Sequence, residues 1–362
     1  MTAGRFAWVA AALAAGISGG TAVAGEISLI TTVDVQGKPL TNFDISYVDA
    51  AAGRYYLADR SNAGVDVIDT RTNRFIERIG GFVGWKGKSG ASGPDGVVLA
   101  PDKQQLWVGD GDSTLKIIDL SVNPPKIVAT VSTGGTARVD EMDYDPKDGV
   151  VLAANNADEP AFVTLISTGP DHRILAKVAF PEASDGIEQP AYVAETGLFY
   201  FSVPVLKQEK THGAIGVFDP KSAKMVKMIP VDGCSPTGLS HGPGTKLVVG
   251  CAAGSADSGM PPATLIFDVA SEKVVKKIAE VGAEDEVWYD AGTNRYYTAS
   301  RGMPSGPVLG VIDAGSDTWV ANVPTSKDAH SVAADARTHT VFVPLTPGPT
   351  CTTGCIGVFG SK

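Results

Sequence analysis

Val65-Asp66-Val67-Ile68-Asp69 decides the fold, because the same pattern returns six times along the chain. It recurs as Leu115-Lys116-Ile117-Ile118-Asp119, Val163-Thr164-Leu165-Ile166-Ser167, Ile215-Gly216-Val217-Phe218-Asp219, Thr264-Leu265-Ile266-Phe267-Asp268, Leu309-Gly310-Val311-Ile312-Asp313 and Ile356-Gly357-Val358-Phe359-Gly360. The last residues of successive copies lie 45 to 52 residues apart. Such a steady period marks a repeat architecture in which each copy is one supersecondary unit. Working outward from each copy, a second β-rich run precedes it, as in Arg54-Tyr55-Tyr56-Leu57-Ala58 and Gln105-Leu106-Trp107-Val108-Gly109. A third short run lies upstream across a turn such as Asp145-Pro146-Lys147-Asp148-Gly149, and a fourth follows, as from Arg74 to Ile79. Four short strands joined by turns, repeated at this length, describe the blade of a β-propeller.

The ends of the chain support seven blades. The last unit stops at Lys362 directly after its third strand, while Ile27 to Val35 is a spare strand ahead of the first unit. Pairing the two closes the ring and removes an exposed sheet edge. The expected fold is therefore all-β, a single seven-bladed propeller over residues 25–362. The stretch from Pro101-Asp102 through Leu106-Trp107-Val108-Gly109-Asp110 to Ile117-Ile118-Asp119 resembles the YVTN-type repeat of YncE-like bacterial propellers. The pattern is proline-aspartate, an aromatic-valine strand, a small polar turn and an apolar strand ending in aspartate; Gly109-Asp110 stands where the family has Thr-Asn. The resemblance implies a fold and leaves activity open, since such propellers include binding proteins, electron-transfer components, lyases and lactonases.

Composition agrees with this reading. The chain has 362 residues with 42 Gly and 23 Pro, the turn-forming content that many short strands require. A net charge of −10 gives no support to a nucleic-acid backbone binder. Arg5, the apolar run Phe6 to Ile17 and the small-residue site Ala22-Val23-Ala24 read as a signal peptide over residues 1–24, which places the mature protein in the periplasm or outside the cell. No later apolar run is long enough for stable membrane insertion. In that compartment the four cysteines are expected as two disulfides, Cys234 with Cys251 and Cys351 with Cys355. Gly87-Lys88-Ser89 lacks the upstream glycine of a P-loop.

In a propeller the innermost strands line a central channel, so the residues that open them form one mouth. The sequence places Asp44, Asp95, Glu141, Gln189, Pro236, Glu286 and His330 there, with Asp140, Glu188, Glu284 and Asp285 alongside. Asp59, Arg60, Asn62, Asp110, Asp112, Asn155, Asn156, Glu159 and Arg301 come to the same face from the following loops. Converging carboxylates raise one another's pKa values, and two compensations are available. One is a hard cation, Ca²⁺ or Mg²⁺, held by Asp95, Glu141, Asn155 and Glu286. The other is direct neutralisation by Arg60 and Arg301. His330 is the histidine expected at the mouth and a candidate acid or base; His172, His212, His241 and His339 are expected at the surface. The long connection from Gly80 to Gly93, with Trp85, is expected to overhang this face.

These features point to an exported, monomeric propeller that binds a small molecule, a cation or a periplasmic protein through Asp44, Asp95, Glu141, Gln189, Glu286, Arg60 and Arg301. The alternative is a metal-dependent hydrolase or lyase similar to propeller lactonases, with His330 moving the proton. Resemblance alone adds a third reading, an accessory of a periplasmic quinoprotein or cytochrome redox system.

Overall fold

The structure, a computed structural model, describes Met1 and residues 26–209, 211–252, 260–282 and 285–361. The expected leader, Glu284 and most of the connection from Ala252 to Ala263 lie outside the described residues. Seven four-stranded antiparallel sheets follow one another around a ring. Blade 1 consists of Ser46–Asp49, Arg54–Asp59, Gly64–Asp69 and Arg74–Gly80, counted from the channel outward. Blades 2 to 6 repeat this order over 97–132, 142–179, 190–232, 235–278 and 287–324. Blade 7 takes its three inner strands from Ala333–Asp335, Thr340–Leu345 and Cys355–Ser361, and its outermost strand from Ile27–Val33 at the other end of the chain.

Burial explains why the repeat was visible. The third strands, such as Thr114–Asp119, are covered on both faces by neighbouring blades and are mostly apolar, with a buried polar residue such as Lys116 or Asp66 in the second place of the repeated pattern. The outermost strands alternate; in Lys126–Ser132 every second residue faces solvent. Each third-to-outer pairing carries a register shift at the same place, as between Val67 and Ile68, Ile117 and Ile118, or Val311 and Ile312. Such a bulge increases local twist. The closing strand reproduces it between Leu29 and Thr31, so Ile27–Val33 is a complete fourth strand of blade 7.

The aspartate that ends the repeated pattern is a turn device. Asp69 Oδ1 accepts the backbone N–H groups of Arg71 (3.0 Å) and Thr72 (2.9 Å), and Asp313 Oδ1 accepts those of Gly315 (3.1 Å) and Ser316 (2.8 Å). Where Ser167 replaces it, the hydroxyl accepts from Gly169 N–H at 3.1 Å. These side chains stand in for a backbone turn partner and carry no further chemistry. Both disulfides form, with Cα–Cα distances of 5.1 Å for Cys234–Cys251 and 5.8 Å for Cys351–Cys355. Among the described residues, no helix is long and apolar enough to cross a membrane.

Candidate functional site at the channel mouth

Backbone pairing defines which residues are equivalent at the mouth. The N–H groups of Asp44, Asp95, Asp140 and Glu188 donate to the second-strand carbonyls of Ala58, Gly109, Ala154 and Ser202. The next residues, Ile45, Gly96, Glu141 and Gln189, accept from those same second-strand residues, and Glu286 accepts from Ala299 N–H. The mouth layer is therefore Asp44, Asp95, Asp140, Glu188, Asp285 and His330, and Glu141, Gln189 and Glu286 belong to the layer below. Compared with the sequence alignment, blades 3, 4 and 6 are shifted by one residue. In a strand that shift carries each side chain to the opposite face.

Two guanidinium groups sit inside the mouth layer. Arg60 enters from the loop after the second strand of blade 1 and pairs with both Asp44 and Asp95, its Nε donating to Asp95 Oδ1 at 2.6 Å. Arg138, in the connection between blades 2 and 3, pairs with Asp140 and reaches Asp44 at 3.5 Å. Both arginines donate to Ser89 Oγ, at 3.2 Å from Arg60 and 2.6 Å from Arg138, so the 80–93 connection does overhang the mouth. Arg301 pairs with Asp285 at 3.3 Å. Burial alone would raise the Asp44 carboxyl, but Arg60, the His330 hydrogen bond and Arg138 outweigh it and hold it well below the usual carboxylate range. Burial pushes Asp140 up to about 7 despite Arg138, and raises Glu188 well above its usual value with help from Asp140 and Asp285.

His330 stacks on Phe43 with ring centroids 4.9 Å apart. Its Nδ1 faces the Asp328 carbonyl at 2.6 Å, while Nε2 lies 3.3 Å from Asp44 and 3.9 Å from Asp285. All three oxygens are acceptors, so both ring nitrogens face oxygen. Asp44, Asp285 and His330 offer three ligand atoms within 4.8 Å of one another, close enough to be shared by one metal ion, although Asp44 and Asp285 are already paired with Arg60 and Arg301. The four residues expected to hold a cation are placed otherwise. Asp95 is paired with Arg60, and the Asn155 amide donates to Ser113 (2.9 Å) and the Arg138 carbonyl (3.2 Å) in the seam between blades 2 and 3. Glu286 Oε2 accepts from Ser331 Oγ (2.6 Å) and Val332 N–H (3.0 Å). Glu141 lies in the lower layer with Gln189. Of the remaining histidines, His172 departs from the surface expectation: it is buried edge-on against Trp107, centroids 5.4 Å apart, with Gln105 at 3.3 Å.

Sequence reasoning missed Arg138 and Ser89 because neither occupies a repeat-equivalent position. The available signal was spacing: Arg138 stands two residues before the mouth residue Asp140, close enough to fold back on it.

The chain was compared with known proteins. No protein-family model and no curated protein matches it. Among solved structures 1530 chains match, and one is the Kuenenia stuttgartiensis hydrazine synthase. That structure is 14% identical, with 86% of this chain and 95% of that chain covered and a TM-score of 0.68. At this identity the likeness shows the propeller fold alone.

Proposed function

We propose that the protein is an exported, YncE-like binding propeller that takes a small polar ligand at its charged mouth. One observation carries this reading: Arg60 and Arg138 lie inside the carboxylate layer, so its charges are already compensated by side chains. What remains accessible is a cavity of about 160 Å³ whose walls include Arg138, Asp140, Glu188, Asp285, Arg301 and His330. Groups of both signs converge there, which suits a small molecule bearing complementary charges better than a bare cation. The metal-dependent hydrolase reading needs a cation that polarises a carbonyl, and Arg60 and Arg301 are bound to the carboxylates that cation would use.

A thermal-shift screen of the purified protein tests the proposal. Small zwitterions and polar acids are expected to raise the melting temperature, and Arg138→Ala is expected to abolish the rise. A rise with Ca²⁺, Mg²⁺ or Zn²⁺ that EDTA reverses and His330→Ala removes would replace this reading with a metal site at Asp44, Asp285 and His330.

A further inference from the structure

We propose that the channel below the mouth binds a small organic ammonium, with Glu141 as its counter-ion and Tyr47 and Trp288 against its hydrocarbon body. This goes beyond the mouth reading, although Glu141 borders both cavities.

The first observation is the hydrogen bonding of the lower layer. Its equivalent residues reach across the channel to other blades. Gln189 Oε1 accepts the N–H groups of Leu239 (2.8 Å) and Val287 (3.1 Å), and Glu286 accepts from blade 7 as described. Glu141 is the exception. It is 2% exposed, and its Oε1 meets no hydrogen-bond donor among the described residues. A buried carboxyl oxygen without a donor costs free energy that a bound donor would recover.

The second observation is the cavity against which Glu141 lies. It measures about 190 Å³ and is bounded by Glu141, Asp143 and Glu286 together with Tyr47, Trp288 and Tyr289. No lysine or arginine lines it, in contrast to the mouth, where three guanidiniums answer the acids; the histidine on its wall, His241, lies 3.5 Å from Glu195. Tyr47 and Trp288 meet edge to face with centroids 5.1 Å apart. A hydrated divalent cation would find oxygen ligands on only part of this wall and aliphatic side chains such as Val97 and Leu239 on the rest. An ammonium with an alkyl body uses both halves: the N–H groups face carboxyl oxygens, and the aromatic faces attract the charge.

Electrostatics point the same way. Burial raises the Glu141 carboxyl well above its usual range, and Asp140, Glu286, Glu188 and Asp285 raise it further. Burial likewise pushes Glu286 up to about 8 and Asp143 up to about 7. A bound ammonium stabilises the ionised forms against this burial penalty, so its binding is linked to proton release from these carboxyls.

Isothermal titration of the purified protein with n-butylammonium chloride, against KCl as the control, tests the inference. The expected result is saturable binding of butylammonium and none of potassium, with apparent binding heats that change with the buffer's ionisation heat. Glu141→Gln, which keeps the side-chain shape, is expected to weaken binding at least about tenfold, equivalent to about 1.4 kcal/mol. Trp288→Phe, which weakens the cation–aromatic contact, is expected to weaken binding severalfold and to remove the change in tryptophan fluorescence. Far-UV circular dichroism and the melting temperature establish that both variants fold. Absence of saturable binding, equal binding of potassium, or unchanged binding by Glu141→Gln would overturn the proposal. Butylammonium binding that depends on Glu141 but is indifferent to Trp288→Phe would place the amine at the mouth and equally overturn it.

Discussion

Arg60 shows what a buried charge costs and what holds it in place. Its partners Asp44 and Asp95 are 4% and 0% exposed, so truncating the guanidinium leaves carboxylates in a desolvated layer. Arg60→Met is expected to destabilise the fold by about 3–5 kcal/mol at pH 7 in urea unfolding. The deficit should shrink on acidification. The Asp44 carboxyl is depressed in the folded protein, so its contribution is present above its unfolded value of 3.8 and is lost as pH falls below it. Glu286 has the opposite sign. Raised from 4.5 to about 8, it favours the folded protein fully below pH 4.5 and loses that contribution as pH climbs to about 8. Melting temperatures of wild type should therefore decline over that window more steeply than those of Glu286→Gln. Equal slopes would show that Glu286 titrates normally.

The elements hold these residues through close backbone approach as much as through side chains. Gly96 occupies the blade 2 position equivalent to Glu141 and Glu286, and a Cβ there would lie 1.8 Å from the Asp140 carbonyl oxygen. Because the obstacle is backbone at the mouth itself, Gly96→Ala is expected to cost at least about 2–3 kcal/mol in chemical unfolding and to displace Asp140 from Arg138. A loss of unfolding free energy below about 0.5 kcal/mol would mean that the strand yields there. The same pairing explains what was legible beforehand. The third strands were readable because double-sided burial forces apolar residues at most of their positions, and the turn aspartates because they answer backbone N–H groups. The seven blades, their closure and both disulfides followed from those patterns. The mouth was legible only to within one residue. First strands are short, four residues in Met142–Asp145 and Pro190–Val193, and contain no periodic run from which to fix their start. Asp140-Glu141 and Glu188-Gln189 each offer two adjacent polar residues, and only the pairing to Ala154 and Ser202 separates them. Arg138 was signalled only by its spacing from Asp140, because its role depends on a connection folding inward and not on a repeat-equivalent position.

For the whole molecule, the ring distributes charge unevenly. The compensated mouth and the carboxyl-lined channel below it sit on one axis, and the net charge of −10 hides this division. Closure sets overall stability. Removing residues 26–35 takes away the outer strand of blade 7 and bares the edge of Cys355–Ser361. The shortened protein is expected to melt at least about 5 °C lower and to self-associate in size-exclusion chromatography; a monomer of unchanged stability would show that closure is dispensable. The pairing of Ile27–Val33 with Cys355–Ser361 also imposes an order in time. The strand made near the beginning of synthesis can find its partner only after nearly all the rest of the chain has been made and has emerged. Blades 1 to 6 are each built from contiguous sequence, whereas sealing the ring needs two strands from distant parts of the chain. A chain that stops before Cys355 offers Ile27–Val33 no partner, so the ring can be sealed only in molecules that carry both strands.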